Sequence, residues 1–185
     1  MHFERAIISD LVIITPKRFG DDRGHFMETF REDLFQEQIG SIRFVQDNQS
    51  FSALPGTVRG LHFQLEPRAQ GKLVRCSAGA LLDVAVDIRV GSPTYGKHVA
   101  VELSAENGKQ LWVPTGFAHG FCTLIPNTEI SYKVTDYYSA ENDRGLQWDD
   151  PELEIAWPVK PEDACLSLKD RQQPKLSELG EVFSW

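Results

Sequence analysis

From Ser41 to Asp136 the chain is a succession of short apolar or alternating runs, each closed by turn residues. That rhythm constrains the fold more than any other feature, because period-two alternation over a few residues is the mark of a half-buried strand. Counting one earlier run, the segments are Leu11–Thr15, Ile42–Asn48, Val58–Leu65, Lys72–Cys76, Leu81–Ile88, His98–Leu103, Gln110–Val113, Gly120–Leu124 and Glu129–Thr135. Pro55-Gly56, Gly91-Ser92-Pro93, Asn107-Gly108 and Pro126-Asn127 punctuate them. Asn107-Gly108 is the strongest hairpin signal in the chain. Arg31–Gln38 has helical composition, with Leu34 and Phe35 as its apolar contacts. Beyond Pro161 the chain is more polar, and Pro174 limits any helix there to short pieces. The 185 residues therefore predict a single all-β domain over 1–185, an antiparallel sandwich or small barrel with short peripheral helices. No GxGxxG follows a strand and no GxxxxGK[ST] occurs, which disfavours a Rossmann fold and excludes a P-loop.

Charge and cysteines narrow the class of partner. Lys plus Arg is 19 against 27 Asp plus Glu, a formal charge of -8. Phosphate backbones and anionic lipid repel such a chain on average, so nucleic acid and membrane surfaces are excluded as partners. No apolar run has membrane-spanning length, and the N-terminus lacks the basic start and apolar core of a signal peptide. Cys76, Cys122 and Cys165 are odd in number, widely spaced and free of any CxxC, which predicts a reducing, cytoplasmic location.

Three polar clusters carry candidate chemistry. The first, Asp21–Glu28, reads as a solvated loop interrupted by Phe26. In the second, Arg59-Gly60-Leu61-His62-Phe63-Gln64, alternation places Gly60, His62 and Gln64 on one face and Leu61 and Phe63 on the other. Arg59 has the wrong parity to join His62 unless a bulge or turn intervenes. The third is Gln110–Phe121, where Pro114-x-Gly116-x-x-His119 resembles a turn of cupin barrels. Cupins also carry a His-x-His pair whose imidazoles, with a Glu, bind a metal. Here the matching pair is His62 and Gln64, and an amide oxygen is a poor ligand for transition metals. The expectation is a metal-free cupin-type jelly roll in which His62 is an acid/base group.

A closer resemblance runs through nearly the whole chain. Arg23-Gly24-x-Phe26-x-Glu28, Gln46-x-Asn48-x-Ser50, RGLHFQ at 59–64, KLVR at 72–75, DVAVDIR at 83–89, Ser92-Pro93-Thr94-x-Gly96 and LWVPTGFAHGF at 111–121 occur in that order. Tyr132-Lys133, Asp150-Pro151, Ile155-x-Trp157-Pro158 and Leu168-Lys169-Asp170 follow. The ordered set closely resembles the dTDP-4-dehydrorhamnose 3,5-epimerase family, metal-free cupins of dTDP-rhamnose synthesis.

The resemblance implies a dTDP-4-keto-6-deoxy sugar nucleotide as substrate, inverted at C3 and C5 by deprotonation and reprotonation, with no cofactor. His62 resembles the base, and a pKa of about 6.5 suits that task. Asp170 resembles the carboxylate that orients it, which requires the segment from about 161 to fold back near the barrel mouth. Tyr132 resembles the acid on the opposite face, and Lys72 the cation that polarises the C4 oxygen. Arg23, Arg59, Lys169 and His119 match nucleotide, phosphate or substrate contacts. Phe26, Glu28, Gln46 and Asn48 match further contacts. Tyr138 matches an aromatic that stacks on thymine, with the neighbouring Tyr137 as the alternative. Asp143 stands where the family has Glu, one methylene longer. The resemblance also implies a homodimer with strand exchange, in which the Arg23–Glu28 loop reaches the partner's site. Three rival readings remain: an epimerase acting at C3 or C5 only, a non-enzymatic cupin binding a small anion, and a metal-dependent cupin.

Overall fold

The computed structural model describes residues 1–185. Its strands are β1 (His2–Arg5), β2 (Val12–Thr15), β3 (Arg18–Asp21), β4 (Gly24–Met27), β5 (Gln46–Ser52), β6 (Val58–Gln64), β7 (Lys72–Ala78), β8 (Ala80–Asp87), β9 (Arg89–Val90), β10 (His98–Ser104), β11 (Gln110–Val113), β12 (Phe117–Thr123), β13 (Thr128–Val134), β14 (Asp143–Gly145) and β15 (Phe183–Ser184), with one helix, α1 (Glu32–Gln38). A six-stranded sheet in the order β1-β2-β11-β7-β13-β5 faces a five-stranded sheet in the order β10-β8-β12-β6-β14. All pairings within these two sheets are antiparallel, giving the sandwich that the strand rhythm predicts and the cupin-type jelly roll that the resemblance implies.

Alternation along the strands separates three layers. Val74, Cys76 and Ile130 of the six-stranded sheet meet Leu81, Ala85, Phe117 and Phe121 of the five-stranded sheet in the central core. On the far side of the five-stranded sheet, Leu61, Phe63, Val84, Val86 and Ala118 are covered by the C-terminal segment through Leu153, Trp157, Leu176 and Phe183. The outer face of the six-stranded sheet carries Val12, Ile14, Leu73 and Trp112 beneath α1. There Phe35 meets Trp112 edge-on with ring centroids 5.3 Å apart. Glu32 and Asp33 in the first turn complement the helix dipole, and Gly40 at φ +133° follows the C-terminal end.

Two expectations need correction. The run Ile42–Asn48 is not the strand; β5 begins at Gln46, because Ile42 and Phe44 are spent in the cluster around Phe35 and Trp112. Asn107-Gly108 does not close a hairpin. β10 pairs with β8 and β11 with β2 and β7, so the turn joins the two sheets. Its chemistry is that of a tight turn: Asn107 Oδ1 accepts from the Ser104 and Lys109 amides, and Gly108 takes φ +65°. Turn chemistry reports the reversal, not which sheet receives the next strand.

The Ser92-Pro93-Thr94 segment acquires a structural role. Asp87, fully buried, accepts from Arg89, Ser92 Oγ and Thr94 Oγ1. Burial raises its pKa, but these bonds outweigh burial and hold the carboxyl at about 2.

Candidate active site

A backbone irregularity in β6 sets up the cavity. His119 of β12 pairs with His62 and Phe121 pairs with Arg59, so β6 has one residue more than β12 between the two pairs. This bulge turns Arg59 to the same face as His62, supplying the parity change that alternation alone denies it. It depends on close backbone approach. A Cβ on Gly60 would lie 2.6 Å from Gly120 Cα, and one on Gly120 would lie 2.7 Å from the Arg59 carbonyl oxygen. Gly120→Ala is therefore expected to destabilise the fold by at least about 1–3 kcal/mol, as overpacking does. An unchanged denaturation midpoint in urea would contradict this.

His62 Nε2 lies 2.5 Å from Asp170 Oδ1. The imidazole side chain is 31% exposed and the carboxylate 4%. Asp170 sits in a 3-10 turn, Asp170–Gln172, and its other oxygen accepts from Ser167 Oγ at 2.8 Å. Burial raises the pKa of Asp170, but His62, Ser167 and the nearby Lys169 charge outweigh burial and hold it below the usual carboxylate range. The anion so fixed orients the ring.

Lys72, buried on β7, donates from Nζ to the His62 carbonyl at 3.2 Å. Desolvation lowers its pKa to about 8, with Asp83 and Asp143 opposing the fall and Lys169 adding to it. Tyr132 comes from the six-stranded sheet, facing the strand that carries His62. Burial raises its phenol pKa, Arg59 opposing, so the hydroxyl stays protonated at neutral pH.

His62, Lys72 and Tyr132 sit where two lobes of one cleft meet. The outer lobe, about 340 Å³, is lined by Gln46, Asn48, Gln64, Gln70, Tyr138 and Asp143. The inner lobe, about 270 Å³, takes Ser50, Arg59, His119, Ser167 and Asp170. Arg59 is aimed along β5 by bonds to the Phe51 carbonyl at 3.0 Å and Ser52 Oγ at 3.3 Å. Gln46 donates to Asn48 and accepts from the Tyr138 amide. The Tyr138 hydroxyl and Lys169 both reach Asp143, so the shorter acid still bridges strand and tail. Tyr137 is exposed and lines neither lobe.

Gln64 has a different task from a metal ligand. Its amide donates to the Arg68 and Tyr137 carbonyls and accepts from the Ser139 amide, which pins the loop carrying Tyr138. Its polar atoms are thus spent on backbone, and Nε2 of both cavity histidines is bonded to a carboxylate.

Arg23, Phe26 and Glu28 are not brought into the cleft of their own chain. Arg23 and Phe26 lie in the exposed β3–β4 hairpin and Glu28 just beyond it, with Arg23 paired to Asp21 and Phe26 65% exposed. Sequence reasoning quoted Ser50 and Asp83 only within motifs, without a role, and missed Ser167 altogether. Ser167 has no local signal. Asp83 was detectable in principle, because a charge at the position shared by Leu81 and Ala85 breaks the apolar face of β8.

Comparison with known proteins is consistent along the chain. The family model described as dTDP-4-dehydrorhamnose 3,5-epimerase matches residues 5–178. A relative of that name from Sinorhizobium fredii is 61% identical over 185 residues, spanning 100% of this chain and 94% of its own. Another of that name, from Shigella flexneri, is 53% identical over 171 residues, 92% of this chain and 93% of its own. The solved structure of a dTDP-6-deoxy-D-glucose-3,5-epimerase from Legionella pneumophila, in complex with dTDP-4-keto-L-rhamnose, superposes with a TM-score of 0.94. It is 44% identical and is matched over 100% of this chain and 98% of that one.

Proposed function

The chain belongs to the dTDP-4-dehydrorhamnose 3,5-epimerase family, and we propose that it converts dTDP-4-dehydro-6-deoxy-D-glucose to dTDP-4-dehydro-L-rhamnose by inverting C3 and C5. Both carbons flank the C4 ketone, so each proton can leave to form an enolate. Substrate and product are isomers, and the conversion has no net oxidation or hydrolysis to perform. Inversion calls for a base on one side of the ring, an acid on the other, and positive charge at the enolate oxygen. The observation that carries this reading is the cleft junction: the His62–Asp170 pair on one sheet, Tyr132 on the facing sheet, and buried Lys72 beside them.

His62 removes each proton while Asp170 stabilises the imidazolium. Lys72 polarises the C4 oxygen, where a preorganised donor is worth about 3–4 kcal/mol in the transition state. Tyr132 returns a proton to the opposite face. Arg59 and Lys169 give a chain of net charge -8 the local positive field that a diphosphate requires, His119 adds a polar contact, and Arg suits bidentate phosphate contact. Gln46, Asn48, Asp143 and Tyr138 line the lobe assigned to the nucleotide.

Two copies pair so that the β3–β4 hairpin of one carries Arg23, Phe26 and Glu28 to the other's cleft. Support comes from that hairpin's exposure of Phe19 and Phe26 to solvent in the single chain. No helix is long and apolar enough to cross a membrane, all three cysteines are unpaired, and we place the enzyme in the cytoplasm.

Incubation with dTDP-4-dehydro-6-deoxy-D-glucose in deuterated buffer is the test. Deuterium is expected at both C3 and C5. Incorporation at one carbon alone would identify a single-position epimerase, and none at either would end the acid/base reading.

A further inference from the structure

Asp83 is fully buried in the middle of β8, bonded to the cavity-lining His119 but without an assigned task. Oδ1 receives His119 Nε2 at 2.9 Å. Oδ2 is one of two buried side-chain polar atoms in the chain with no partner, the other being Arg18 Nε. A buried carboxylate oxygen left open is costly and calls for an explanation. The cation that answers it is Lys72, which forms no ion pair with Asp83 within 4.0 Å and acts on it through space. Of the three donors on its ammonium, the protein engages one, through the 3.2 Å bond to the His62 carbonyl. Lys72 and His119 line the same inner lobe, and Asp83 is the carboxylate that acts most strongly on the Lys72 charge.

We propose that Asp83 is a positioning residue whose one carboxylate is shared by His119 and Lys72, fixing the imidazole ring and holding the ammonium as a donor on the wall that meets the enolate oxygen. Oδ1 fixes the His119 ring, leaving Nδ1 for the cavity. Oδ2 supplies the negative charge that keeps the Lys72 ammonium charged in a dry site. Without that charge, burial favours the neutral amine, which cannot stabilise an enolate as a cation does. Of the other groups facing Lys72, only Asp143 also favours its charge, and more weakly than Asp83. Arg59, His62 and His119 on the facing sheet and Lys169 from the tail are cationic or neutral, Asp143 is held by Lys169 and Tyr138, Asp170 by His62 and Ser167, and Tyr132 is a neutral phenol.

The inference rests on the epimerase reading for its consequence, but its test does not. Lys72 is titrated by NMR in protein labelled with 15N-lysine, its signal assigned by its loss in Lys72→Arg. In Asp83→Asn, a near-isosteric change, the Lys72 midpoint is expected to fall by at least about half a pH unit from its value near 8. The alkaline limb of kcat/KM should move down with it, because activity is lost as pH rises through the Lys72 pKa. At pH 8 kcat should drop at least about twofold, as the charged fraction of Lys72 falls from about one half to about one quarter, while KM stays nearly unchanged, the pattern of a lost transition-state interaction. His119→Gln should move the midpoint the opposite way, by leaving Asp83 to Lys72 alone, and it stands as the measurement if Asp83→Asn does not fold. A midpoint unmoved by the folded variants, or moved in the same direction by both, overturns the proposal. Should the unaltered enzyme exchange neither C3 nor C5, the function fails on its own, and the Lys72 titration still decides the role of Asp83.

Discussion

Replacing His62 by alanine is expected to lower kcat by about 10²–10⁴-fold, the range that a positioned general base contributes. Exchange at C3 and C5 in deuterated buffer should fall by the same factor, because both depend on removal of a proton by the same ring. The remaining groups cannot take over. Asp170 lines the inner lobe, but its carboxyl is held below the usual carboxylate range and is too weak a base to replace the imidazole. Lys72 is needed as a cation, and Tyr132 holds its proton at neutral pH. KM should change little, since the nucleotide contacts lie elsewhere in the cleft. The fold should survive, because the lost ring is part-exposed and makes a single side-chain bond. Steady-state kinetics with the ketosugar nucleotide checks both numbers; activity within a few fold of the parent would remove His62 as the base.

The alternation in RGLHFQ was enough to put His62 and Gln64 on one face and bury Leu61 and Phe63 on the other, because burial of one sheet face imposes period two. Arg59 was not legible in this way. Its inward turn comes from a bulge that rests on Gly60 and Gly120 approaching across two strands, and no local pattern encodes that contact. Gln64 was read for its place in a metal-site pattern, whereas its work is to pin the Tyr138 loop, a long-range bond to residues more than seventy positions away. Asp170 lies 108 positions from His62, so composition could not pair them, and family resemblance alone suggested the contact. The β3–β4 hairpin escaped the strand reading because it is polar and exposed and buries no face of its own.

Tyr132→Phe separates proton removal from inversion, and the two should respond differently. The variant keeps the ring that packs against Ile130 and the central core, so its stability should stay close to the parent's. It keeps His62, Asp170 and Lys72, so the enolate still forms and deuterium still enters the substrate. What it loses is the donor on the wall opposite His62. The imidazolium can then return a proton only to the face from which it came, which restores the starting configuration. Inversion should fall by about 10²–10⁴-fold, the contribution of one acid/base group. Deuterium uptake into unconverted substrate should fall far less. Following both by NMR in one reaction gives the ratio directly. If uptake and inversion decline together, proton removal itself needs the phenol, and Tyr132 is then a base or an enolate donor and not the acid of the opposite face. The raised pKa of the phenol argues for the acid role, since a hydroxyl that stays protonated through neutral pH can donate but cannot act as a standing base.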